Sequence, residues 1–274
     1  MGIEHQHLPD RKILDISSEQ LGYNLEAVIF EPAQPTALVV TTFGIPRGQD
    51  NDKSYVPDRF APFIAEQGMV ATAHSPAGLG NSGGDTTELS LDGRANEVVE
   101  VAMAAHAKHP DLPVTLYGSS MGAHIIIRAA QKLTKRNVKV DNLVVVSSAA
   151  YPDRSETATF GEAFRQAITG SHDLPISGFS VFEALEAFDG KVMFAWVEHD
   201  STENGGPIYP QMIDWYNQTY EARKALGRAD TFVNVHGAEH SFRVDGKGID
   251  ESPEALVVFR NFCQKVKEFV FTRV

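Results

Sequence analysis

Of the 274 residues one is cysteine, and 24 lysines and arginines stand against 36 aspartates and glutamates. Cys263 alone cannot form an internal disulfide. It falls in a helix-like run, VVFRNFCQKVKEFVF, and reads as a small core hydrophobe rather than a nucleophile. A net charge of −12 leaves no clustered basic surface of the kind that nucleic acid or an anionic membrane requires, so neither is an expected partner. No apolar run reaches the roughly 20 residues of a membrane-spanning helix. The opening residues, MGIEHQHLPDRK, lack the apolar core of a secretory leader, and Gln6 stands where a myristoylation signal has Ser or Thr. A cytoplasmic protein is the expectation. Internal repeats, low-complexity tracts and Pro-, Gly- or Ser-rich linkers are also missing, so residues 1–274 are read as one domain. The 42% hydrophobic content is enough for a substantial core.

What is present is an alternation. Short β-branched runs, ALVVTTF (37–43), MVATAHS (69–75), PVTLYG (113–118), VDNLVVVSSAA (140–150), KVMFAWV (191–197) and TFVNVHG (231–237), read as strands. Between and after them lie helical patterns at 53–68, 91–109, 120–135, 210–227 and 253–271. This rhythm predicts βαβ units, hence an α/β fold with a mostly parallel sheet flanked by helices. RKILDIS and LEAVIF, near the start, suggest an antiparallel edge. Residues 151–190 break the rhythm with a long aromatic-rich excursion. It reads either as a cap or lid, or as two surface helices packed on the sheet.

The stretch LYGSSMGAH (116–124) contains Gly118-Ser119-Ser120-Met121-Gly122, a match to G-x-S-x-G. A strand pattern precedes it and a helical one, AHIIIRAAQKL, follows. A serine at such a strand-to-helix turn needs small neighbours, because the backbone is bent tightly there. Ser120 is the central residue and Ser119 a spacer. The competing reading is a serine that only caps the helix.

The chain, over roughly residues 20–272, resembles the α/β-hydrolase superfamily. GSSMG looks like its nucleophile elbow. Val197-Glu198-His199-Asp200 resembles the acid turn, with Val197 where the family often has Gly. HGAEHSF (236–242) resembles the loop that carries the catalytic histidine. SPAGLGNSGG (75–84) resembles the family's D-x-R-G-x-G-x-S segment in part, with Ser75 and Ala77 replacing Asp and Arg. Its glycines are read as turn-forming rather than nucleotide-binding, since no helix opens after them. The resemblance implies the order nucleophile, acid, histidine, and so Ser120, Asp200 and His240 in those roles, with Glu198 and Glu239 as alternative acids. It also implies an oxyanion hole of two backbone N–H groups, from Met121 and Ile45 in Phe43-Gly44-Ile45-Pro46, where many members carry His-Gly. His124, His199, His74 and His236 are read as structural, with no metal site and no cofactor expected.

The expected activity is hydrolysis of a small-molecule ester or thioester of an apolar acyl group, with Phe43, Phe160, Phe164 and Phe179 as candidate substrate contacts. Arg154 and Arg165 could admit a phosphorylated carrier. Open alternatives are an acyltransferase using the same triad, a peptidase or amidase, and a binding protein on an inactive hydrolase fold. Nothing in the sequence marks an oligomer interface.

Overall fold

A computed structural model of the chain describes residues 10–44 and 60–272. Within them the sheet has eight strands: β1 (Asp10–Ser18), β2 (Tyr23–Glu31), β3 (Leu38–Thr42), β4 (Val70–His74), β5 (Val114–Ser119), β6 (Asn142–Val146), β7 (Lys191–His199) and β8 (Thr231–Glu239). Their order across the sheet is β1-β2-β4-β3-β5-β6-β7-β8. β1 and β2 pair antiparallel, as expected, and β2 pairs antiparallel with β4. All strands from β4 to β8 run parallel. This is the α/β-hydrolase fold.

Every residue of β3, β4, β5 and β6 is buried. That follows from helices covering both faces, and it explains why these strands read as continuous apolar runs rather than alternating ones. On one face lie α2 (Leu91–Lys108), α3 (Met121–Lys135), α5 (Ser180–Glu186) and α6 (Pro210–Ala225). On the other lie α1 (Ala61–Ala65) and α7 (Pro253–Phe271). Leu116 belongs to the first core and Tyr117 to the second, the period-2 alternation of a strand dividing one segment between two layers. Helix starts carry legible caps: Ser90 Oγ accepts from the Gly93 N–H at 3.1 Å, Ser252 Oγ accepts from the Ala255 N–H at 3.2 Å, and Pro210 and Pro253 open their helices.

Three expectations need adjustment. The helix expected over 53–68 is described only as α1, since residues 45–59 lie outside the described range. The strand expected to run to 150 ends at Val146. Ser147 is left-handed (φ 45°), and the Ala149 N–H leaves the sheet to donate to Ser120 O at 3.2 Å. The 151–190 excursion divides. Its second half, α5, buries Val181, Phe182, Ala184 and Leu185 against α3 and α6 and is ordinary core. Its first half, with α4 (Glu162–Ile168), buries only Phe164 from that helix.

A clamp closes the far end of this layer. Arg223, fully buried near the end of α6, donates through Nε to Asp230 Oδ2 (2.6 Å). Its Nη atoms donate to the carbonyls of Leu185 (2.6 Å), Phe188 (2.6 Å) and Gly190 (2.8 Å). Asp230 in turn accepts from the Val192 N–H at 2.8 Å. Removing one partner leaves an uncompensated buried charge, which costs about 3–5 kcal/mol. Arg223→Met should therefore lower the unfolding free energy by about that amount in urea titrations. A change below about 1 kcal/mol would contradict the clamp.

Candidate active site

The C-terminal ends of β5, β7 and β8 carry the three residues singled out from the sequence. Ser120 follows β5 and is the N-terminal boundary of α3. Its backbone is left-handed, φ 57° and ψ −125°, a conformation that costs a non-glycine residue of order 1–3 kcal/mol. Ser120 makes no side-chain cap to α3, so its hydroxyl is not engaged in the helix-capping role. Ser119, by contrast, is a buried strand residue paired with Val146. The elbow therefore presents Ser120.

Why these residues fold this way is visible in the two glycines. A Cβ at Gly118 would meet the Gly122 carbonyl oxygen at 2.2 Å, and one at Gly122 would meet the Thr42 carbonyl oxygen at 2.4 Å. The turn can thus be crossed, and packed against the end of β3, only by residues without a side chain. The Ser120 N–H donates to Val146 O at 2.9 Å, which ties the turn to β6 as well.

Asp200 sits just beyond β7 and is fully buried. The His240 Nδ1–H donates to Asp200 Oδ1 at 2.6 Å, a short charge-assisted bond that assigns the free Nε2 as the basic nitrogen. The His240 side chain is 25% exposed against 1% for Asp200, so the acid is sealed and the imidazole open to solvent or substrate. The carboxylate of the alternative acid Glu198 is engaged elsewhere. Glu198 is half exposed and accepts from the Gly237 N–H at 2.8 Å, which holds its carboxyl below the usual range. The Glu239 N–H bonds Arg243 O at 2.7 Å, closing a small loop around His240.

Two residues that hold this pair were not singled out in the sequence. A Cβ at Gly206 would lie 2.1 Å from the Asp200 backbone C and O, so the loop after the acid can close only over glycine. Phe242, left-handed (φ 59°) and 1% exposed, plugs into Phe259 and Phe262 of α7 and anchors the histidine loop. Gly206 has no motif spacing to betray it. Phe242 lies inside the quoted HGAEHSF run and could have been read as an anchor.

The remaining histidines have their own partners. His124, fully buried, faces Glu156 through Nε2 at 2.9 Å and accepts the Tyr151 N–H at Nδ1 (3.3 Å). Burial works to raise the Glu156 carboxyl, but the His124 bond and the Arg128 guanidinium hold it net below its ordinary value. His74 is buried beside Glu97 at 3.6 Å. His199 ends β7 and is exposed. His236 and His240 are four residues apart, yet they face different carboxylates, Glu198 and Asp200. Among the described residues no three His, Cys, Asp or Glu side chains converge as metal ligands.

Of the oxyanion candidates, Met121 opens α3 beside Ser120. Ile45 lies outside the described residues. Its neighbour Gly44 is described, and a Cβ there would stand 3.5 Å from Met121 Cβ, so the end of β3 adjoins the elbow. Phe43 is half-buried, its ring tilted against those of Phe60 (4.7 Å) and Tyr117 (5.7 Å). Phe160 and Phe164 pack edge to face at 5.2 Å, with Phe160 the more exposed. Phe179 is fully buried against Trp215 and has no free surface. Arg165 pairs with Glu162 (2.8 Å), and Arg154 donates to the carbonyls of Ala167 (2.6 Å) and Thr169 (2.9 Å), so both cations are engaged.

Comparison with known proteins agrees with this architecture. Residues 45–176, a little under half of the chain, match the family described as serine aminopeptidase, S33. The match takes in the elbow and ends before Asp200 and His240. Among solved structures the chain is similar to a dienelactone hydrolase from Anabaena variabilis, at 16% identity over 96% of this chain and 97% of that one, with a TM-score of 0.61. A carboxyl esterase from Tuber melanosporum matches at 14% identity over 98% and 90%, TM-score 0.62. A thermostable carboxyl esterase from Bacillus coagulans matches at 14% over 95% and 99%, TM-score 0.64. No curated protein sequence matches the chain. The resemblance to α/β-hydrolases read from the elbow and the acid and histidine loops thus extends over the whole chain as a shared fold.

Gly206→Ala tests how the acid is held. Overpacking of this kind costs about 1–3 kcal/mol. The expected result is a lower thermal midpoint together with loss or shift of the downfield His240 Nδ1–H proton resonance. An unchanged midpoint and resonance would show that the contact does not position Asp200.

Proposed function

We propose that the chain is a serine hydrolase that cleaves a carboxylic ester or thioester of an apolar acyl group through a Ser120–His240–Asp200 triad. The observation that carries this reading is the 2.6 Å His240–Asp200 bond at the same sheet edge as the left-handed Ser120 elbow. Strained serine, open imidazole and sealed acid have little use in a binding protein, where the strain at Ser120 would be a cost without return.

In the proposed reaction Ser120 Oγ attacks the acyl carbonyl carbon while His240 Nε2 takes its proton. Asp200 holds the tautomer with Nδ1–H and stabilises the imidazolium that results. The Met121 N–H, at the positive end of the α3 dipole, and a donor from the β3 loop receive the oxyanion. The tetrahedral adduct collapses as His240 returns the proton to the leaving alcohol or thiol. Water, deprotonated by the same His240, then attacks the Ser120 ester and releases the acid, restoring the serine. Phe43 and Phe160 supply apolar surface for the acyl group; Phe164 and Phe179 are buried and act as packing.

The S33 match favours a second reading, amide or peptide hydrolysis by the same residues. The two separate on aryl esters of increasing acyl length against the matching anilides. Hydrolysis of esters with kcat at least about 10²-fold above the anilides supports the first reading; comparable rates support the second. Ser120→Ala should abolish turnover, and Asp200→Asn should lower kcat by about 10⁴-fold, as expected when the imidazole loses its correct tautomer. Asp200→Asn turnover near the parent's would remove Asp200 from the triad.

A further inference from the structure

Beneath the elbow lies a buried charge pair that the triad does not use. Arg94 and Glu97, one turn apart on α2, are 2% and 0% exposed. Glu97 Oε2 lies 3.5 Å from Arg94 Nε and 3.6 Å from His74 Nε2. Its Oε1 accepts from the Ala77 N–H (2.7 Å) and the Tyr23 hydroxyl (3.0 Å). Burial pushes the His74 imidazole down, so Arg94 is the cation that faces this carboxylate. Arg94 Nη2 donates to Thr42 Oγ1 at 2.9 Å and to the Phe43 carbonyl at 3.0 Å.

Thr42 ends β3 and Phe43 follows it, and this end adjoins the nucleophile. The Thr42 carbonyl is the group against which Gly122 of the elbow closes. The peptide that follows Phe43 leads to Gly44, beside Met121. A trans peptide carries its N–H opposite its C=O. Fixing the Phe43 carbonyl on Arg94 therefore fixes the direction of the Gly44 N–H as well. It also draws electron density toward the guanidinium, which makes that N–H a stronger donor.

Stability alone is a weak reason for this arrangement. A buried ion pair is commonly matched or bettered by apolar side chains of similar volume. Here the pair is imperfect. Arg94 Nη1 has no hydrogen-bond partner among the described residues, and the Nε–Oε2 separation of 3.5 Å is long for a hydrogen bond.

We propose that Arg94 is a positioning residue for acyl transfer: it fixes and polarises the Phe43–Gly44 peptide so that the Gly44 N–H, rather than that of Ile45, is the β3-side oxyanion donor beside Met121, with Glu97 holding Arg94 in place. This inference rests on the serine-hydrolase reading and adds a residue that no sequence motif supplies. Arg94 does not touch the substrate; it acts through the backbone at the end of β3.

The test compares parent, Arg94→Met and Arg94→Lys on one aryl ester, with thermal midpoints recorded for each. Turnover by the parent is the precondition, and a parent that turns over no ester fails the serine-hydrolase reading itself. With an active parent, Arg94→Met should lower kcat by about 10²–10³-fold, the loss typical of one oxyanion interaction, while KM stays within about threefold. Arg94→Lys retains the charge but not the planar fork, so it should fall between the two. A purely structural Arg94 would lower the midpoint and the active fraction without changing kcat per active site, counted by burst titration. Unchanged kcat per active site in Arg94→Met, or a rise in KM alone, overturns the proposal. If Arg94→Met does not fold, Arg94→Lys decides: a loss in kcat of about tenfold or more at constant KM supports the proposal, and parental kcat overturns it.

Discussion

The site depends on backbone packed against backbone at the elbow. Gly118 lies against the Gly122 carbonyl, and Gly122 lies against the Thr42 carbonyl, at distances no side chain could tolerate. This approach brings the β5–α3 turn onto the end of β3 and leaves Ser120 in a left-handed conformation that an isolated chain would avoid. The strain persists because its surroundings over-determine it: the Ser120 N–H is bound to β6, its carbonyl accepts from Ala149, and α3 is locked in the core by Ile125, Ile126 and Ile127. A serine that merely capped a helix would need none of this.

The other two residues are held by different means. Asp200 is immobilised by burial and by the close passage of Gly206. His240 is carried on a loop pinned at one end by Phe242 in the α7 aromatic cluster and closed at the other by the Glu239–Arg243 bond. Three parallel strands thus end at one edge of the sheet, and the residue after each is fixed by its own packing. A covered parallel sheet makes this possible, since its strands end together and its helices leave that edge open.

Much of this was legible in the sequence, for identifiable reasons. Parallel strands buried on both faces read as short apolar runs, so the order of elements could be followed from Leu38 onward. The elbow announced itself because its glycines are obligatory at fixed spacing. Asp200 and His240 stand out in the sequence because both follow strands, and the structure pairs their side chains. What stayed hidden is what depends on contacts between distant segments. Gly206 is constrained by Asp200 across a loop, and Arg94 looks like any helix arginine until its reach to Phe43 is seen. Ser147 sits in a run of β-formers, yet the chain turns there to cover the elbow. The apolar pattern of 151–190 fits a cap and two packed surface helices alike; α5 spends its apolar face on the core, and α4 buries only Phe164. Hydrophobicity alone does not distinguish a lid from a core helix.

The most direct measurement of the central claim is covalent labelling with a fluorophosphonate, followed by mass mapping of the modified peptide, in the parent and in His240→Ala. It requires no knowledge of the substrate. One adduct on Ser120, formed rapidly in the parent and lost in the variant, is the result expected of a serine activated by His240. No adduct, an adduct on Ser119 or another residue, or equal labelling of Ser120 in His240→Ala would contradict it.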